Sequence, residues 1–419
     1  MKKMNDIQVF ETYESEVRSY CRVFSSELAT AKGAIIKDVD DKEYIDFFCG
    51  AGALNYGHNN PEIKAEVMKY LESDGILHAL DMYTKPKSDF IRYFEENILK
   101  PRGLDYKIQF PGPTGTNAVE AALKLARKVK KRSNIWCFMG CFHGMTTGAL
   151  SLTTEREARQ GAGIPLENVT HIPAPYMFPG LDVLEYMQTM IDDDHSGIEY
   201  PAALIMETVQ AEGGIRPFSN EFLKGVREFC DRNDILLIID DIQVGCGRTG
   251  YFFSFERAGI QPDIFVLSKS IGGLGLPFAL TLFKPELDIW APGEHNGTFR
   301  GNQLAIVAAK AAAEYYNKYA LDKETQRKAK IIEDFLKTEI EPLKAEFETR
   351  GIGFIWGIDV HDEALAKQIS VEAYKRGVII ERAGRKNEVV KIMPPLVIED
   401  DVLLKGLNII KEVVTALVK

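Results

Sequence analysis

The chain has 419 residues, 45% apolar and 27% charged, with Lys+Arg 51 against Asp+Glu 61 for a formal net charge of −10. That length and apolar share provide for a large core and exclude disordered, collagen-like and mini-protein classes. The acidic balance argues against a nucleic-acid binder, whose phosphate contacts need a basic surface.

Residues 1–8 hold two lysines with no apolar stretch behind them, so no signal peptide is expected. The first fifty residues are too few to stand alone and should pack on another unit. Beyond them, short apolar runs alternate with amphipathic stretches, the pattern of βα units around a mainly parallel sheet. Strands are predicted over 135–139, 202–206, 235–239, 264–267 and 278–283, and helices over 118–131 and 220–233. The last hundred residues read as α+β: a long charged helix over 323–350, a segment over 351–360, a helix, strands over 378–381 and 389–393, and a closing helix over 401–418. The expected division is an N-terminal segment 1–55 packed on a small domain, a large domain 56–320, and a C-terminal small domain 321–419. The longest apolar runs, 235–239 and 278–283, fall far short of a membrane span. Cysteines 21, 49, 137, 141, 230 and 246 include no CxxC pair, and no His or Cys neighbour completes a metal set around Cys137 and Cys141. Reduced, buried thiols in a cytoplasmic protein, with no metal, are the expectation.

Three predicted strands end in polar residues: Glu207, the pair Asp240-Asp241, and Ser268-Lys269. In open α/β sheets ligands bind at the carboxyl ends of strands, so these side chains could converge on one crevice. A glycine-containing loop, Gly112-Pro-Thr-Gly-Thr-Asn, runs into the 118–131 helix, and Asn117 with Glu120 three later fits a capping box. The N–H groups of Gly115, Thr116 and Asn117, with the helix dipole, would make an anion site. A nucleoside triphosphate would want GxxxxGK[ST], which is absent; otherwise Asp240-Asp241 could pass for a metal-binding pair. The GxGxxG string Gly245-Cys-Gly-Arg-Thr-Gly250 is followed by Tyr251-Phe-Phe and no helix start, so that match is spurious. A single phosphate, an acid and a lysine are what pyridoxal 5'-phosphate requires.

Ile238-Ile-Asp-Asp-Ile-Gln-Val-Gly-Cys-Gly-Arg-Thr-Gly250 followed by Pro262-Asp-Ile-Phe-Val-Leu-Ser-Lys269 resembles the signature of class III (ω-amino-acid) aminotransferases. The likeness extends to Asp46-Phe-Phe-Cys-Gly-Ala-Gly-Ala-Leu-Asn-Tyr-Gly-His, Phe142-His-Gly-Met-Thr, Gly297-Thr-Phe-Arg-Gly-Asn and Pro394-Pro-Leu, and so spans most of the chain. It implies an α/β, fold-type I pyridoxal-phosphate transferase: a large domain with a mainly parallel central sheet, plus a smaller α+β domain from the N- and C-terminal segments. It implies Lys269 as Schiff-base lysine and proton shuttle, Asp240 against the pyridinium nitrogen, and Gln243 reaching the phenolic oxygen. Gly115 and Thr116 would hold the phosphate, Phe142 would stack on the ring, and Thr298 would reach the partner's phosphate across a homodimer. His143 is open between a direct role and a satisfied core histidine. Arg248 reads as a structural turn residue, and Trp136, Trp290 and Trp356 as core.

Within the class, the segments starting at Glu14, Phe110 and Asp240 resemble the branch that moves an amino group between glutamate and aspartate 4-semialdehyde, the route to ectoine. Enzymes acting on 4-aminobutyrate or ornithine, and an aminomutase, remain alternatives. Relatives pair a glutamate with an arginine that is released to grip a substrate carboxylate. The glutamate maps to Glu212, but the arginine's place is Lys391, and lysine cannot make the bidentate fork. Either Lys391 takes that role, or nearby Arg382 or Arg385 does. Ala211 stands where relatives commonly have glycine, which would cost roughly 1 kcal/mol if that backbone needed positive φ.

Overall fold

In a computed structural model, residues 6–418 are described. The segment read for a leader lies largely outside them. The chain builds one seven-stranded sheet and two four-stranded ones, with a two-stranded ribbon. Across the large sheet the order is Lys107–Gln109, Leu280–Phe283, Ile264–Leu267, Leu236–Asp240, Ala203–Met206, Ile135–Phe138 and Val169–Ile172. Leu280–Phe283 runs antiparallel to both neighbours, and the remaining pairs are parallel. These strands are apolar runs because both sheet faces are covered. Ile238 joins the cluster beneath Ala118, Ala122 and Leu125, while Leu237 and Ile239 join the opposite cluster with Trp136, Phe229 and Ala308. Trp356 is likewise buried, in the C-terminal core.

The ends of the chain share a core. Leu28–Lys32, Ile35–Asp38 and Glu43–Asp46 form a meander, and Val378–Ile379 adds to it in parallel beside Ile45 and Asp46. Ala34, Ile45 and Phe47 pack with residues from Ile332 to Val414. The third sheet orders Glu348–Ile352, Ile355–Asp359, Val389–Ile392 and Glu381–Ala383, all antiparallel.

Several predicted elements are redrawn. The charged helix is α-helical only over Leu321–Phe335, then passes through a π turn at Leu336–Ile340 and a 3-10 turn at Glu341–Leu343. Pro342 supplies no N–H to prolong it. Segment 351–360 lies in a hairpin that turns at Gly353 (φ +56°), where a Cβ would stand 2.3 Å from the Arg248 carbonyl oxygen. The predicted strand over 378–381 divides at Ile380, its two parts serving different sheets. Among the described residues no helix is long and apolar enough to cross a membrane.

Candidate active site

The strand carboxyl ends bring the polar residues together. Asp240 closes its strand almost fully buried: Oδ1 accepts the Ile242 N–H at 3.1 Å, and Oδ2 meets His143 Nδ1 at 2.7 Å. Burial opposes charge on the His143 ring, but the adjoining Cys141 sulfur and the Asp240 carboxylate outweigh it and raise the histidine well above its ordinary value. Burial holds the Cys141 thiol well above its own usual range. His143 is therefore the partner that fixes Asp240, not a bystander.

Next to this pair, Glu207 accepts the Phe142 N–H at 3.0 Å and the Ala211 N–H at 3.1 Å, locking the loop that carries Phe142. Burial raises its carboxyl to about 7. Ala211 is absent from the positive-φ residues and carries no backbone strain.

Lys269 opens a 3-10 turn directly after its strand, in left-handed backbone at φ +53°. That conformation costs a non-glycine residue about 1–2 kcal/mol. Desolvation pushes its amine below the usual lysine value, Glu212 counteracts this, and Lys391 adds to it.

The loop before Gly115–Lys130 has the form of an anion cradle. Its N-cap is Thr114, whose hydroxyl meets Asn117 Oδ1 at 2.8 Å. The predicted Asn117–Glu120 box does not form. Glu120 instead accepts from the Ala149 N–H at 3.0 Å and from the Thr146 hydroxyl, while Thr146 and Thr116 hydroxyls lie 2.7 Å apart. The first N–H groups of a helix have no carbonyl within it to bond. A Cβ on Gly115 would come within 2.9 Å of the Ile242 side-chain tip, so this backbone packs closely against the residue just past the Asp240 strand end. A free helix N-terminus, a buried carboxylate and a desolvated amine converge on one crevice, and this donor set fits pyridoxal phosphate.

Gln243 Nε2 donates to the Ala51 carbonyl at 2.9 Å and to Glu212 Oε1 at 3.2 Å. Lys391 has no exposed side-chain surface and donates to Glu212 at 2.7 Å. Arg382 lies 3.9 Å from Glu363, and Arg385 is exposed, contacting Met177 sulfur and stacking 5.8 Å from the Tyr176 ring. Lys391, and neither arginine, thus holds Glu212. Burial works against the Lys391 charge, but Glu212 and Glu381 outweigh it and push the value up. Glu381, 2.7 Å from Lys391, went unnoticed in the sequence. Its signal was available: the apolar run 378–380 ends in a carboxylate, as the Glu207 and Asp240 strands do.

Thr298 is exposed, and its neighbour Gly297 lies beside Gly112 at the start of the glycine loop. Arg248 is wholly buried, donating to the Phe354 and Pro394 carbonyls and to Asn55, with Cys49 sulfur at 3.3 Å. The six cysteines form no disulfide, and all but Cys21 are buried. Among the described residues, Glu348, Asp359 and His361 could offer donors to a metal, yet Arg350 (2.8 Å) and Arg216 (3.5 Å) already face Asp359.

The chain matches the family model "Aminotransferase class-III" over residues 19–414. A diaminobutyrate–2-oxoglutarate transaminase of Halalkalibacterium halodurans is 54% identical over 99% of this chain and 97% of its own length. The enzyme of the same name from Sporosarcina pasteurii is 52% identical over 100% and 99%. An S-selective transaminase from Arthrobacter sp. shares the fold, with TM-score 0.87, 23% identity and 99% of each chain covered. The ornithine aminotransferase of Toxoplasma gondii does too, at TM-score 0.85, 24% identity and coverage of 98% and 94%. With a family model spanning nearly the whole chain and relatives more than half identical along their own length, the chain belongs to the class III aminotransferases.

Proposed function

We propose that this protein is a pyridoxal-phosphate aminotransferase that moves an amino group between L-glutamate and L-aspartate 4-semialdehyde, giving 2-oxoglutarate and L-2,4-diaminobutyrate. One observation carries the chemistry: the desolvated Lys269 amine and the buried Asp240 carboxylate meet at the ends of neighbouring strands, beside the Gly115 helix N-terminus. The relatives' shared name supports the choice of substrates.

When bound, pyridoxal phosphate supplies an aldehyde that takes up amines covalently and a protonated ring that accepts the electron pair of a broken C–H bond. Asp240, fixed by His143, holds the proton on the ring nitrogen. The Gly115 and Thr116 N–H groups, with the Thr116 hydroxyl, bind the phosphate. Phe142 would cover one ring face and Gln243 would reach the phenolic oxygen. Lys269 would hold the cofactor covalently, and its amine would take up the proton of the substrate carbon; its lowered value leaves more of it unprotonated near neutral pH than an exposed lysine. Glu212 and Lys391 receive the substrate's charged groups. Donor and acceptor react in turn at this one site, a ping-pong order.

In this reading residues 56–320 form the cofactor unit, and 1–55 complete the small unit of 321–419; the parallel pairing of Val378–Ile379 with Ile45 and Asp46 supports that division. The protein works in the cytoplasm as a homodimer or dimer-based oligomer, with Thr298 serving the partner's phosphate site, and its product would supply ectoine, siderophore or peptide-antibiotic synthesis. Free, mostly buried thiols suit a reducing compartment.

The test mixes cofactor-loaded protein with glutamate alone, then supplies diaminobutyrate, 4-aminobutyrate, ornithine and lysine in parallel as donors to 2-oxoglutarate. The bound-cofactor absorbance should be lost with glutamate, and diaminobutyrate should turn over fastest. Lys269→Ala should lower turnover by about 10³-fold or more, given the 10²–10⁴ typical of proton transfer alone. Preference for ornithine or 4-aminobutyrate overturns the substrate assignment. Turnover of one substrate without any keto acid would indicate a mutase.

A further inference from the structure

Glutamate and diaminobutyrate make opposite demands on the space around the reacting carbon. Glutamate reacts through its α-amine, so a carboxylate sits on the reacting carbon itself. Diaminobutyrate reacts through its terminal amine, and that carbon bears only hydrogen. One site must therefore offer a positive charge near Lys269 in the first case and hide it in the second.

The buried cation closest in charge coupling to Lys269 is Lys391. It is held by two carboxylates. Glu212 Oε1 accepts from its ammonium at 2.7 Å with hydrogen-bond geometry. Glu381, directly opposite Lys391 in the antiparallel pair of Glu381–Ala383 with Val389–Ile392, brings Oε1 to 2.7 Å but outside hydrogen-bond geometry. Two anions on one cation leave the group one charge negative. A third carboxylate, that of glutamate, cannot join it until one negative charge is removed, because a buried uncompensated charge is costly. Glu381 is the member to give way, since Glu212 has the directional bond and a second donor in Gln243.

We propose that Glu381 is a specificity-determining residue of this site: its charge decides whether Lys391 is masked for the diaminobutyrate half-reaction or open to the glutamate α-carboxylate. This rests on the substrate reading above. The protonation that opens Lys391 is within reach near neutral pH, for burial raises the Glu381 carboxyl to about 7 against the pull of Lys391, with Glu212 adding to the rise. Other groups facing it are Lys269 and, from the N-terminal turn, Tyr20, whose hydroxyl partial burial and then Glu381 and Glu212 push up to about 12. The helix packed on the same strand, Glu363–Lys375, turns its Glu363 toward Arg382. As pH rises through about 7, Glu381 ionises, Lys391 is masked, and glutamate binding weakens.

The experiment compares the two half-reactions of cofactor-loaded parent and Glu381→Gln protein by rapid-mixing absorbance, from pH 6 to 8.5. An opposite charge at this range shifts equilibria by about one to three pK units, so Glu381→Gln should tighten glutamate binding about tenfold or more at pH 8. It should also flatten the pH dependence and, by leaving Lys391 unmasked, weaken the diaminobutyrate half-reaction, so that the two half-reactions move in opposite directions. Equal effects on both half-reactions, or an unchanged pH slope, overturn the proposal while the substrate reading stands. A parent that reacts with neither substrate overturns both. If the variant does not retain cofactor, the parent decides: glutamate binding that is flat across this pH range rejects the role of Glu381.

Discussion

At the scale of single residues, the chemistry depends on how tightly a few buried groups are fixed. Asp240 is useful to a cofactor ring only as a carboxylate in one orientation, and each of its oxygens already has a donor from the protein. Removing the imidazole leaves Oδ2 without its close partner. An unsatisfied buried polar group costs about 1–3 kcal/mol, or roughly ten- to hundredfold in an equilibrium. His143→Ala is therefore expected to release cofactor about ten- to hundredfold more readily in equilibrium dialysis, with Lys269 still reactive. Full cofactor retention in that variant would assign His143 to packing alone.

At the scale of elements, the strand-to-turn junction after Leu236–Asp240 places two carboxylates side by side with different tasks. Asp240 faces the crevice, whereas Asp241 turns into the core and accepts the Ser254 N–H at 3.1 Å. Burial raises Asp241 to about 7, against the Ser254 hydrogen bonds and with help from the Asp240 charge. The folded value thus lies above the unfolded one, near 4. Stability from this group is present in full below about pH 4 and is lost as pH rises through about 7. Asp241→Asn, which keeps an acceptor and cannot ionise, should melt higher than the parent at pH 8, with the gap closing toward pH 5. A constant gap across that range in thermal melts would refute this account.

At the scale of the whole molecule, Arg248 joins parts of the chain that lie far apart in sequence. Its guanidinium links Asn55 and Cys49 from the N-terminal third to Phe354 and Pro394 from the C-terminal third. Loss of that side chain strands several buried acceptors at once. Arg248→Ala should destabilise the protein by about 3 kcal/mol or more, at 1–3 kcal/mol for each orphaned group. The thermal midpoint should fall by several degrees. A variant with parental melting would show that water replaces these bonds.

Much of this was legible in the residues themselves. Apolar runs of strand length, ending in Glu207, Asp240 and Lys269, are local signals, because a strand buried on both faces must be apolar and its exit to a crevice must not be. The glycine loop before the helix at Gly115 was legible for the same reason. The resemblance of ordered segments then carried the family, since catalytic spacing tolerates little change. What local pattern could not show depends on contacts between distant segments. The division of 378–381 between two sheets, the His143–Asp240 pair and the Glu381–Lys391 register each join residues whose nearness exists only after folding. Sequence determined which chemical groups the protein has and the strand ends that present them. Tertiary structure alone decided which charges share a cavity, because desolvation and ion pairing act through space and not along the chain.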